Sequence, residues 1–443
     1  MESPIFYNMG EEIVCGIMKI IHKVQGERRF FRLCCKWLAI YHTEAMRKNL
    51  EQVPFFGRWD DLYTFVGTPL ETEAFVFMYK QLALDVKCKT PSLLAKWLKS
   101  ENTSSAESRK LATLTRKHFN MTSRQYRKVL SALRGRINVL ERLMSAKEWD
   151  KIEFDKIPSK AGLKYKNAFA RNDILKERYR KFAVSKDTKV NAGTLYPADV
   201  VHKAFECFDP WYWRNGCKYP IDAPERMMVQ KYWDNLNDYF KGATFNGVAV
   251  VDTSGSMLGT PMEVAISMGM YCADKCGEDS PWHNHYISFS RNARLVEMNG
   301  ADFVEKVYNI AKTNVCENTN LESVFDLLLN TAQMNNLPQS AMPENVIIFS
   351  DMELDRMTTS GGWHKSDMDN MAKKWEAYGY TLPKLVWWNV NARHNTIPME
   401  DRDGVTYVSG YSPVIMEQVL KGKTSKDLML DKLNSERYSK VSA

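Results

Sequence analysis

The chain has 443 residues, enough for roughly two or three domains, and its 44% hydrophobic and 12% aromatic content is that of a globular protein. No apolar run reaches the roughly 18 residues of a membrane-spanning helix, and MESPIFYNMGEE lacks the basic, apolar and small-residue succession of a secretory signal, so a soluble, cytoplasmic protein is predicted. The net charge of +8 is unevenly spread: residues 1–245 hold 43 Lys+Arg against 28 Asp+Glu, residues 246–443 hold 18 against 25, and residues 101–190 alone hold 23 against 10.

From Glu11 to about Trp149 apolar residues recur at helical spacing, with polar interruptions at QVPFFGRWDD, KCKTP and SENTSSAES. This predicts packed helices, in hairpin pairs, within a basic α-helical domain over residues 1–205. Its most legible helix is TSRQYRKVLSALRGRINVLERLMSAKEW, where Thr122 and Gln125 suit a capping box and Tyr126, Leu130, Leu133, Ile137, Leu140 and Met144 form one apolar stripe. Arg124, Arg127, Lys128 and Arg134 are predicted to lie opposite that stripe. A solvated face explains such charges in most helices. Here the basic residues continue through KIPSKAGLKYKNAFARND and KERYRKFAVSKDTK, interleaved with Tyr165, Phe169, Tyr179 and Phe182, a pattern suited to phosphate contacts and base stacking. The expectation is an RNA-binding surface that includes Arg124, Arg127, Lys128 and Arg134.

The stretch CFDPWYWRNGCKYPIDAPERMMVQKYWDNL, too rich in aromatics for a flexible linker, predicts an ordered connector over residues 206–245. NGVAVVDTSGSMLGTPMEVAIS follows. Gly247 to Val251 is apolar on successive residues, as in the central strand of a parallel sheet, and the helix after it opens near a proline. Asp252, Ser254 and Ser256 therefore fall at the carboxyl end of a strand, where open α/β sheets bind ligands. One carboxylate and two hydroxyls form an oxygen-only set suited to Mg²⁺ or Mn²⁺. Turn chemistry alone accounts for a single D-x-S-x-S. Two further segments strengthen the metal reading: ENTNLESVFDLLL places Thr319 in a loop before a helix, and NVIIFSDMELD is a second buried strand, Val346 to Phe349, followed by Asp351.

Strands are predicted at 247–251, 285–289, 294–298, 345–349, 385–389 and 405–408, with helices at 261–276, 301–312, 320–333, 367–378 and 413–421. The alternation predicts a doubly wound α/β domain over residues 246–443. Nine cysteines at irregular spacing suit reduced thiols, and Cys272, Cys276, His283 and His285 are a minor zinc candidate. No G-x-S-x-G elbow or Walker loop occurs, and no catalytic residue is assigned; a binding protein is expected, not an enzyme.

D-x-S-x-S, a Thr in a T-N-L-E loop and an Asp after a buried strand together resemble the metal-ion-dependent adhesion site of von Willebrand factor A (vWA) domains. The resemblance implies hydroxyl ligands at Ser254, Ser256 and Thr319, and carboxylates acting largely through water at Asp252 and Asp351. It also implies a protein partner that supplies an acidic group to the metal. YRKVLSALRGRINVLERLMSAKEWDKIEFDKIPSKAGLKYKNAF, NAGTLYPADVV, LPKLVWWNVNAR and GVTYVSGYSPVIMEQVLKG look like an uncharacterised family of plant, fungal and viral proteins that pairs a helical domain with a C-terminal vWA domain. That architecture is similar to the Ro autoantigen, whose helical-repeat (TROVE) ring binds small structured or misfolded RNAs. The implied protein is a multidomain, non-enzymatic RNA-binding scaffold without a membrane segment. The alternative is a structural or assembly protein, of viral or other origin, that uses both domains for protein contacts.

Overall fold

Helix-forming runs with one apolar face dominate the first third of the chain, and burying those faces needs neighbouring helices. The computed structural model describes residues 28–137, 140–208, 216–242, 244–289, 293–313, 321–352, 365–391 and 405–413, with Met416 and Glu436. Contacts divide the chain near residue 152, and the second compact unit spans residues 153–423. The expected 205/206 boundary and the 206–245 connector lie inside that unit.

In the first unit the helices are α1 (Arg28–Tyr41), α2 (Thr43–Asn49), α3 (Val53–Phe56), α4 (Glu71–Lys87), α5 (Leu94–Trp97), α6 (Ala106–His118), α7 (Ser123–Arg136) and α8 (Leu140–Ser145). Phe31, Leu38, Phe65, Phe75, Met78 and Leu94 make a common core with Tyr126, Leu130 and Leu133 of α7. The predicted capping box is present: Gln125 N donates to Thr122 Oγ1 at 3.3 Å, and Thr122 N donates to Gln125 Oε1 at 2.8 Å. The single helix expected over 122–149 is instead two, because α7 ends at Arg136 and α8 starts at Leu140. Asp61 and Asp60, buried on the turn Trp59–Phe65, accept from Arg32 at 2.6 and 3.1 Å, so their burial is matched by charge.

The second unit opens with α9 (Ser159–Arg171), α10 (Lys176–Val184), α11 (Pro197–Phe205) and α12 (Pro224–Asp234). Phe169 and Tyr179 are buried against each other and Phe154, with ring centroids 5.1 to 5.8 Å apart. They are core, which removes them from the base-stacking role that the basic and aromatic pattern suggested. Arg226 on α12 forms a buried two-pronged ion pair with Asp302, Nε to Oδ2 at 2.5 Å and Nη2 to Oδ1 at 2.8 Å. Lys231 Nζ donates to Phe182 O at 2.7 Å and to Thr188 Oγ1 at 2.7 Å, so this buried ammonium too has acceptors.

The strands are β1 (Gly247–Asp252), β2 (His285–Phe289), β3 (Arg294–Glu297), β4 (Asn345–Ser350), β5 (Lys384–Asn389) and β6 (Val405–Ser409). They form one sheet in the order β3-β2-β1-β4-β5-β6, parallel throughout except for β3 on β2. Helix α13 (Thr260–Lys275) connects β1 to β2, α14 (Phe303–Thr313) and α15 (Leu321–Met334) lie between β3 and β4, and α16 (Lys365–Ala377) connects β4 to β5, crossovers of the kind that parallel strands require. Every residue of β1 and β4 is buried, which is why both read as unbroken apolar runs. A Cβ on Gly269 of α13 would meet Val251 Cγ2 at 2.3 Å, so only glycine lets this helix lie so close to β1. The expected helix over 413–421 lies outside the described residues apart from Pro413 and Met416.

Candidate functional site

β1 and β4 are adjacent and parallel, with Val251 opposite Phe349, so both strands deliver their last residues to the same sheet edge. Asp252 is 1% exposed and Asp351, one residue beyond β4, is 4% exposed. Ser350 Oγ donates to Asp252 Oδ2 at 2.5 Å, and Ser254 N donates to Asp252 Oδ1 at 2.9 Å, closing an Asx turn. The short helical turn Gly255–Met257 brings Ser256 Oγ to 3.1 Å from Ser254 Oγ. Burial pushes the Asp252 carboxyl above the usual range, its hydrogen bonds oppose the shift, and the neighbouring Asp351 charge adds to it. Such a carboxylate pair is stabilised by a proton or by a cation. The donors are all oxygen, the class of ligand that a hard divalent ion takes. Thr319, the fifth expected residue, lies outside the described residues.

Ser350 was not among the expected site residues, although it fixes the Asp252 carboxylate, and Met352 N also donates to its Oγ at 3.0 Å. Its only signal is its place before Asp351 in IIFSD.

The zinc candidate is not assembled. Cys272 and Cys276 are buried free thiols, and burial raises the Cys272 thiol far above its ordinary value. His283 Nδ1 lies 2.8 Å from Cys276 O, and His285 Nδ1 lies 2.6 Å from His283 O, so both rings are engaged with backbone carbonyls. Among the described residues no group of three or more His, Cys, Asp and Glu side chains could hold a metal ion.

On α7 the four predicted basic residues separate. Arg124, Arg127 and Lys128 are exposed, as expected for the face opposite the stripe. Arg134 is half-buried, which corrects its placement on that face. Its Nε donates to Ala95 O at 2.8 Å, Nη1 to Ser100 Oγ at 2.8 Å and Nη2 to Leu98 O at 2.7 Å. It satisfies carbonyls left open at the end of the short helix α5.

Residues 81–241 and 246–441 match two families, each described as a domain of unknown function (DUF2828 and DUF7788). An uncharacterised protein of Acanthamoeba polyphaga mimivirus is 33% identical over 351 residues, covering 75% of this chain and 58% of that protein. The chain thus spans less than two thirds of the length of this relative. The crystal structure of the Ro (RSR) protein of Deinococcus radiodurans superposes with a TM-score of 0.50 at 15% identity, covering 93% of this chain and 91% of that one. This chain therefore has a Ro-like fold. No helix among the described residues is long and apolar enough to cross a membrane.

Proposed function

We propose that this chain, having a Ro-like fold, is a non-enzymatic scaffold that binds structured RNA through its basic helical region and recruits a protein partner through a Mg²⁺-dependent vWA-type domain. The observation that carries the reading is the oxygen-only cluster where β1 and β4 end, with Asp252 buried beside Asp351 and the Ser254 and Ser256 hydroxyls facing each other. Asp252, Ser254, Ser256, Thr319 and Asp351 would hold the ion; Mn²⁺ would suit the same set. A bound ion of this kind supplies positive charge at the sheet edge that attracts an acidic side chain from outside. The chain's own contribution is to fix Asp252 through Ser350 and the Ser254 amide, so that its oxygens are oriented before the ion arrives. The exposed Arg124, Arg127 and Lys128 on α7 support phosphate contact. The mimivirus relative supports a place among the plant, fungal and viral proteins that pair these two domains.

Calorimetric titration with Mg²⁺ tests the site. Asp252→Ala should abolish binding while the circular dichroism spectrum is kept, and unchanged affinity in that variant would remove the metal from this edge.

A further inference from the structure

A pocket of about 460 Å³ opens in the first unit between α7, α8 and the segment that follows α5; Lys96, Ser100, Arg127, Ser131, Arg134 and Arg142 are among its lining residues. That volume lies within the range of small-molecule sites, roughly 300–1,000 Å³. Its charge is one-sided. Glu101, the acidic residue of the lining, accepts from Arg116 at 2.8 Å, and Arg142 pairs with Glu148 at 3.3 Å. Among the described residues, no carboxylate forms an ion pair with Lys96, Arg127 or Arg134.

Arg134 is the unusual member. A guanidinium has five N–H groups, three of which are committed to Ala95 O, Leu98 O and Ser100 Oγ, leaving two for a ligand. Those three bonds go to neutral acceptors, so they hold the group in place without cancelling its charge. A half-buried, immobilised and uncompensated cation on the wall of a solvent-open pocket is preorganised for an anion, because its ordering is complete before binding. Lys96 and Arg127 bring the uncompensated charge of the lining to three. A carboxylate carries one negative charge and two oxygens, whereas a phosphomonoester carries about 1.5 to 2 charges and three strong acceptor oxygens. A backbone diester has a single charge and two free oxygens, a poorer match to three uncompensated cations than a phosphomonoester.

We propose that this pocket captures the terminal phosphate of an RNA strand. The proposal rests on the RNA-binding reading above and names the part of the RNA that is recognised. The test compares a short RNA oligomer carrying a 5′-phosphate, a 3′-phosphate or hydroxyl ends, with inorganic phosphate and a phosphoserine peptide as competitors. Two variants are used: Lys96→Ala, and Ser131→Glu, which sets a carboxylate in the pocket from an exposed helix position and leaves the Arg134 hydrogen bonds in place. Wild-type protein should bind one phosphate-ended form about ten- to a hundredfold more tightly than the hydroxyl-ended form, the worth of one or two charge-assisted hydrogen bonds. Both variants should lose that preference while keeping their circular dichroism spectra. Equal affinity for all ends, or a preference that survives Ser131→Glu, overturns the proposal while general RNA binding stands. If no RNA binds at all, the RNA reading itself fails, and the inorganic phosphate arm then decides whether the pocket takes phosphate. A phosphoserine peptide that binds more tightly than the phosphate-ended RNA overturns RNA as the natural ligand.

Discussion

Asp252 carries a cost that its hydrogen bonds do not remove. Its pKa is raised in the folded protein by burial and then by Asp351, so its contribution to stability is fully present below the unfolded value, near 3.9, and is lost as pH rises through the folded value. Without divalent metal, Asp252→Asn should therefore be more stable than wild type at neutral pH, and the gain should vanish in acid. Thermal melts in chelator at several pH values check this; a variant less stable than wild type at neutral pH would show that the carboxylate is not under strain. Added Mg²⁺ should reverse the order by stabilising wild type alone. Arg134 makes a contrasting case. Losing its three hydrogen bonds in Arg134→Ala should cost about 2–4 kcal/mol by urea unfolding, whereas Arg124→Ala on the exposed face of the same helix should change stability by less than about 0.5 kcal/mol. Equal effects would return Arg134 to the solvated face.

Between elements, the approach of α13 to β1 couples packing to the site, because β1 ends in Asp252. Gly269→Ala should destabilise the protein by about 1–3 kcal/mol and weaken Mg²⁺ binding as well, since the added methyl must push helix and strand apart. Calorimetry on the folded variant separates the two effects, and undiminished Mg²⁺ affinity would show that the strand end does not follow the helix. The strands were legible for a physical reason: burial on both faces leaves an unbroken apolar run, and a polar residue then marks where each ends, as Asp252 and Asp351 do. The Asp252, Ser254 and Ser256 cluster was legible because its members are near neighbours in sequence. What was not legible depends on distant partners. Ser350 meets Asp252 across 98 positions, and Arg134 turns inward because carbonyls 36 and 39 positions earlier need donors. The break between α7 and α8 was hidden because the apolar stripe runs on through Ile137 and Leu140.

For the molecule as a whole, RNA binding should fall steeply with salt, and converting Arg124, Arg127 and Lys128 to Glu should flatten the log–log slope by roughly 0.7–0.9 for each phosphate that is no longer neutralised. Electrophoretic shifts at several salt concentrations measure this, and an unchanged slope would leave that face without a role. Partner recovery in pull-downs should disappear in excess EDTA; partners retained without metal would detach recruitment from the Asp252 edge. The buried pair between Arg226 and Asp302 reaches further than its own energy. It joins a helix that belongs to one matched family, residues 81–241, to the residue just before α14 in the other, residues 246–441, and both lie inside one compact unit. A fragment starting at Asn246 would leave Asp302 without its guanidinium, so residues 153–423 are the better choice for expression. In evolutionary terms, cutting and recombining the chain at the point where the two families meet would break this pair. A lineage that lost the Arg226 helix would have to find another cation for Asp302 at the same time, and this favours inheritance of the two stretches as a pair.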